Sequence, residues 1–234
     1  MNKNLLLLSI SFLFSFQTKS QSKYFTLPIS TSINVAEIKT DWNTSLQRFA
    51  EPVADEHQQT NQLNALKKDL LKKIKPHLNP GATLREEIDS AYVWKGFQGN
   101  SNTGSVPNDN DIAVSTTGYL ISVMNTSIFK YDLNADTAMG QISLAAFATS
   151  LGNTHSKYDP KAIYDPDLNK FVVVFLAGFT HSTSSIIIAF SETDNPNGNW
   201  NLYELPGNPL NDTLWTDFPM LALTNHELFI TVNH

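Results

Sequence analysis

Cysteine is absent from all 234 residues. That excludes disulfides, a cysteine-anchored lipid, thiolate catalysis and Cys/His metal sites. Charged residues are also scarce, at 16% against about 25% in a typical soluble chain. The longest apolar run, Leu5–Phe16, is 12 residues, short of the roughly 18 or more that crossing a bilayer takes, and no later stretch is longer. HExxH, P-loop and GxSxG patterns are missing too, so the common hydrolase and nucleotide-binding signatures give no lead. Stability must come from a packed core, and a chain of this length can supply one.

The first feature that is present is an address. Lys3 precedes the apolar run Leu5–Phe16, and Thr18 and Ser20 stand at the small positions of a cleavage site before Gln21. This is the layout of a secretory signal peptide over residues 1–20, with a secreted or cell-surface destination. The charge is then unevenly divided. Residues 1–90 hold 11 Lys+Arg and 9 Asp+Glu, net +2, whereas residues 91–234 hold 5 and 13, net −8. An acidic main segment argues against nucleic acid, which requires a basic face. It is compatible with Ca²⁺, glycans or protein partners.

Residues 21–90 read as a helical, partly disordered segment. Leu63, Leu66, Leu70, Leu71 and Ile74 form one helical stripe with lysines between them, closed by Pro76 and the Asn79–Gly81 turn. A basic amphipathic helix of this kind can bind a membrane surface, but it better suits a surface helix docked on a core or a pro-segment. Asn43, Asn125 and Asn211 begin glycosylation sequons.

From about Ala91 the hydrophobic period changes to two. Short apolar stretches such as YLISVMN, KFVVVFLAGF and SSIIIAFSE alternate with the turn clusters NADT, DPDLN and DNPNGN. This predicts an all-β domain of antiparallel meanders over 91–234. The domain also repeats. Asp109 aligns with Asp217, Leu120 with Leu228, Val123 with Thr231 and Asn125 with Asn233, at an offset of 108. Asp159 opens an intermediate unit, 50 residues after Asp109 and 58 before Asp217. Units of this length with about four strands match β-propeller blades. The expected blades run from Asp109 to about Leu144 and from Asp159 to Leu205, and a third comprises Phe218–Leu223 and Glu227–Asn233. The expectation is an incomplete propeller of about two and a half blades, a chain truncated at its C-terminus, after a short helical segment. A small β-sandwich is the alternative.

The stretch WKGFQGNSNTGSVPNDNDIAVSTTGYLISVMNTSIFKYD, with DPKAIYDPDLNKFVVVF, IIIAFSETDNPNGNWNLYEL and WTDFPMLALTNHELFITVN, resembles a group of secreted bacterial β-propeller proteins. The likeness spans about Trp94 to Asn233 and departs at Asn108 and Ser115. It implies a propeller fold and an exported destination. Many of these proteins carry a C-terminal type IX sorting domain, and none is seen here. The resemblance implies no reaction.

Candidate chemistry is thin. Asp109, Asp159 and Asp217 recur at equivalent positions, so a propeller would bring them to one end of its channel. There they would hold Ca²⁺ or a sugar hydroxyl, act in acid/base roles, or cap their own strands. Capping of at least two of the three is the expectation. Trp215 and Trp200 could stack on sugars, although Trp200 suits a core. Glu192 and Asp194 form a possible carboxylate pair, with Asp194 better placed to stabilise the Asn195–Pro196 turn. His155 and His181 fall in loops. The functional expectation is an exported binding or scaffold module for an extracellular glycan or protein, with a glycosidase- or sialidase-like hydrolase as the alternative.

Overall fold

The protein is described by a computed structural model covering residues 26–38, 65–66, 68–69, 96–100, 105 and 107–234. The expected signal peptide, Trp94 and most of the amphipathic stretch lie outside the described residues. Residues 65, 66, 68 and 69 of that stretch are helical.

Among the described residues the fold is all-β and antiparallel, with eleven strands in three sheets, none closed on itself. The first sheet is a plain meander of β2 (Asp111–Val114), β3 (Tyr119–Met124), β4 (Ser127–Asp132) and β5 (Thr137–Ser143). The second continues the pattern with β6 (Lys157–Asp165), β7 (Lys170–Ala177), β8 (Ser185–Ser191) and β9 (Asn199–Pro206). The third is a hairpin of β10 (Asp217–Leu223) and β11 (Leu228–Asn233). The turn clusters act as their composition predicts. Asp132 Oδ1 accepts the N–H groups of Asn134 and Ala135, and Asp165 Oδ1 accepts those of Asp167 and Leu168. Each turn then passes through a left-handed residue, Asp136 or Asn169, a conformation that Asn and Asp tolerate.

The sheets stack face to face, and β7 shows why its sequence is apolar without alternation. Phe171, Val173 and Phe175 face the first sheet and pack with Ile121, Val123, Ile128 and Ile142. Val172 and Val174 face the other way, against Leu221, Leu228 and Ile230 of the hairpin. A strand covered on both faces needs apolar side chains at every position, and each one buried is worth about 1.5–3 kcal/mol. Trp200 completes the first core, 1% exposed and edge-on to Phe147 at 5.3 Å. Its indole N–H donates to the Pro196 carbonyl at 3.1 Å, so the core reading of this Trp holds.

Two elements depart from the sequence expectation. Within the 21–90 segment, Thr31–Asn34 forms strand β1, which pairs with β9 as a fifth strand of the second sheet. Its pairing satisfies an otherwise open edge, and Val35, which follows it, is buried in the core. Between the two meanders, Leu144–Phe147 forms a short helix α1. Ser143 Oγ caps it by accepting the Ala146 N–H at 2.9 Å.

Candidate functional site

Strands β2, β6 and β10, each the first of its meander or hairpin, lie near one another, with β6 touching both of the others. Two of them begin with a bulge. The registers shift between Tyr158 and Lys161 on β6 and between Asp217 and Met220 on β10. Asp159 and Phe218 take positive φ there (49° and 46°), and Asp109, just ahead of β2, matches them at 46°. The registers correct the repeat by one residue. Val123 corresponds to Thr231 as the sequence indicates, but their partners across the hairpin are Asp111 and Met220, an offset of 220 − 111 = 109. Asp109 and Asp159 are therefore equivalent to Phe218, and Asp217 stands one place earlier. The cause is the turn. Ser115 and Tyr119 bracket three residues, whereas Thr224 and Glu227 bracket two.

The three aspartates nevertheless converge, and Asp159 is the centre. It is 4% exposed, and the carboxyls of Asp217 and Asp109 are near enough to interact with its own. Burial raises its pKa to about 7, the two neighbouring carboxyls add to the rise, and a bond from the Phe218 N–H opposes it. That last bond, 3.1 Å to Asp159 Oδ2, ties β10 to β6. The capping expectation is corrected here. Of the three, Asp159 receives a backbone N–H, and it comes from the next unit instead of its own strand. Asp109 Oδ2 accepts the amide of Asn125 at 2.7 Å, and Asn125 Oδ1 accepts the Asp159 N–H at 2.6 Å. Asn125 is fully buried, so its sequon is closed to glycan in the folded chain. In the second unit the place of Asn125 is held by Leu176, which cannot bridge, and Asp159 makes the connection directly. Asp111, which sequence reading passed over, adds a third tie by accepting the Ala162 N–H at 3.0 Å.

Among the described residues no group of three or more His, Asp or Glu is arranged to hold a metal ion.

The remaining candidates scatter. Trp215 is 41% exposed. Asp194 does not stabilise its own turn, which is held by Asn195 Oδ1 accepting the Asn197 N–H and Thr193 Oγ1 accepting the Asn195 N–H. Its carboxylate accepts the Thr117 hydroxyl of the first sheet instead. Glu192 accepts the Asn199 amide at 3.1 Å. These two carboxylates are thus engaged with different partners. His181 accepts the Asn208 amide through its carbonyl at 3.4 Å.

No family model, curated protein or solved structure matches this chain. Geometry alone must then indicate where a ligand could bind.

His155 leads to the second place of interest. It lines an open cleft of about 530 Å³ at the end of the second sheet, with residues 152–154, 182–185, 204–206 and Ser30. The cleft is held from beneath. The Lys157 ammonium, 4% exposed, donates to the carbonyls of Asn153 (2.7 Å) and His155 (2.6 Å). Burial pushes its pKa down, and the charge of Glu204 offsets that in part. Asn153 Nδ2 donates to Glu204 Oε1 at 2.6 Å, and Ser30 Oγ accepts the Glu204 N–H at 3.2 Å. Sequence reading missed Asn153, Lys157 and Glu204, because they come together from separate loops with no shared motif.

Proposed function

We propose that the chain is exported by its N-terminal segment and forms successive blades of a β-propeller that serves as a binding or scaffold module. Its partner is an extracellular glycan or protein. The observation that carries the propeller reading is the recurrence of one packing step. The first meander presents one face to the second, the second presents the equivalent face to the hairpin, and β2, β6 and β10 lie near one another. A two-layer sandwich has no third sheet stacked in this sequence. Blades arranged so leave their loop ends free to contact a partner.

A hydrolase is the second reading, favoured by Asp159, whose pKa near 7 suits a general acid. Against it, Asp159 is almost wholly enclosed and its carboxylate already holds β10. The test is to incubate the mature chain with insoluble polysaccharides and with chromogenic glycosides. Retention on a polymer without glycoside hydrolysis is the expected result. Hydrolysis that disappears in Asp159→Asn would replace the binding reading with the enzymatic one. Failure to retain any polymer or extracellular protein would remove the binding reading.

A further inference from the structure

We infer that the cleft beside Asn153 and Glu204 is a binding site for a neutral, hydroxyl-rich ligand, the size of a short oligosaccharide segment. The inference rests on the binding-module reading and specifies where and what the module binds. Its volume of about 530 Å³ falls within the roughly 300–1,000 Å³ of small-molecule sites. The lining is dominated by groups that both donate and accept. Ser30, Thr154, Ser182 and Ser185 contribute hydroxyls and His155 an imidazole, which is the complement of a polyol. Glu204 spends one oxygen on Asn153 and keeps acceptor capacity for sugar hydroxyls, since a carboxylate offers about four lone-pair positions. Leu205 and Pro206 complete the lining.

The site is also built in advance of any ligand. Lys157 fixes the 153–155 backbone from below, Asn153 clamps Glu204, and Ser30, just ahead of β1, locks the Glu204 backbone. A loop already held in place loses little freedom on binding. Charge selects the ligand class. The Lys157 ammonium and Glu204 carboxylate compensate each other locally, while the surrounding 91–234 segment carries net −8. Polyanions, such as polyuronates, are repelled, and neutral sugars are not.

Titration of the mature chain with cellotetraose, xylotetraose and maltotetraose, followed by calorimetry and amide NMR, tests the site. Trigalacturonate serves as the charged control. At least one neutral oligosaccharide should bind and shift the amides of residues 152–155 and 182–185, while trigalacturonate shifts neither. Glu204→Gln and the cleft-filling Thr154→Trp should each weaken that Kd at least about tenfold. Thr154 lies on the cleft wall, so Thr154→Trp should keep the wild-type melting temperature and remains informative if Glu204→Gln unfolds. Absence of binding by all three neutral sugars overturns the inference, as does a Kd that Thr154→Trp leaves unchanged. Retention of both wild type and Thr154→Trp on an insoluble polymer would overturn this site while leaving the binding module standing. Loss of retention in wild type itself would count against the module.

Discussion

Replacing Asp159 with Asn should stabilise the protein at neutral pH, and the gain should depend on pH. In the folded chain Asp159 holds its proton up to about pH 7, whereas an exposed aspartate releases it near 3.9. Between those values the folded state binds more protons than the unfolded one, so stability falls as pH rises through this window. Below it both states are protonated and no penalty exists. Above it both are ionised and the penalty is constant. A gap of about three pKa units corresponds to an upper limit of about 4 kcal/mol, shared with Asp217 and Asp109 because the carboxyls interact. Asn is nearly isosteric, carries no charge, and its Oδ1 can still accept the Phe218 N–H. Urea unfolding of both proteins at pH 4, 5, 6, 7 and 8 gives a difference curve free of contributions from the histidines. The variant should match wild type at pH 4 and exceed it by about 2–4 kcal/mol at pH 8. Parallel curves, or a variant about 1 kcal/mol less stable throughout, would refute the reasoning and restore a plain capping role.

Three other outcomes are expected. Leu7→Arg with Leu8→Arg should leave the precursor in the cytoplasm, because the h-region must stay apolar; cell fractionation reads this directly, and unchanged secretion would refute the signal-peptide assignment. Gly178→Ala should cost at least about 2 kcal/mol in urea unfolding. Gly178 has a φ of 75°, and a Cβ there would sit 2.2 Å from the Thr183 carbonyl oxygen. The mature chain should self-associate through the outer face of the hairpin, where Met220 and Phe229 are 50% and 51% exposed. Met220→Asp with Phe229→Asp should shift sedimentation towards monomer, and a wild type that is monodisperse at all concentrations would contradict this.

The meanders were legible because their signals are local. Alternation in YLISVMN and the turn residues of DPDLN act within a few positions, so strands and turns could be read directly. The proposed repeat rests on the same local patterns, but the register between its hairpins could not be read from them. The second strands align by side chain, while the one-residue slip arises in the hairpin turn Thr224–Glu227, whose tightness leaves no mark on the apolar pattern. Thr31–Asn34 was missed because four residues without flanking turn signals become a strand only when the edge of β9 receives them. Two of the aspartates, Asp109 and Asp159, were visible as a recurring position, and Asp217 stands one place earlier than its counterpart. Their burial around Asp159 depends on three strands meeting, which no single stretch encodes. The cleft is less legible still, since its polar groups come from the start of β1, the α1–β6 connection, the β7–β8 turn and the end of β9.

The docking of β1 also governs the order in which the chain can fold. Strand β9 lies about 170 residues downstream of its partner, as in the pair Thr31 and Leu202. During synthesis from the N-terminus, β1 emerges early and then waits until the second sheet exists. Once paired, it ties together positions at least 199 − 34 = 165 apart in the chain, as in Asn34 and Asn199. Joining chain positions that far apart costs roughly 4 kcal/mol or more in entropy. Four residue pairs and the burial of Val35 must exceed that cost. Strand β1 is therefore the last piece to seat and the first to release, a latch whose amides should exchange with solvent before those of β7. Because Ser30 locks Glu204 at the head of this latch, opening it would also loosen one wall of the cleft.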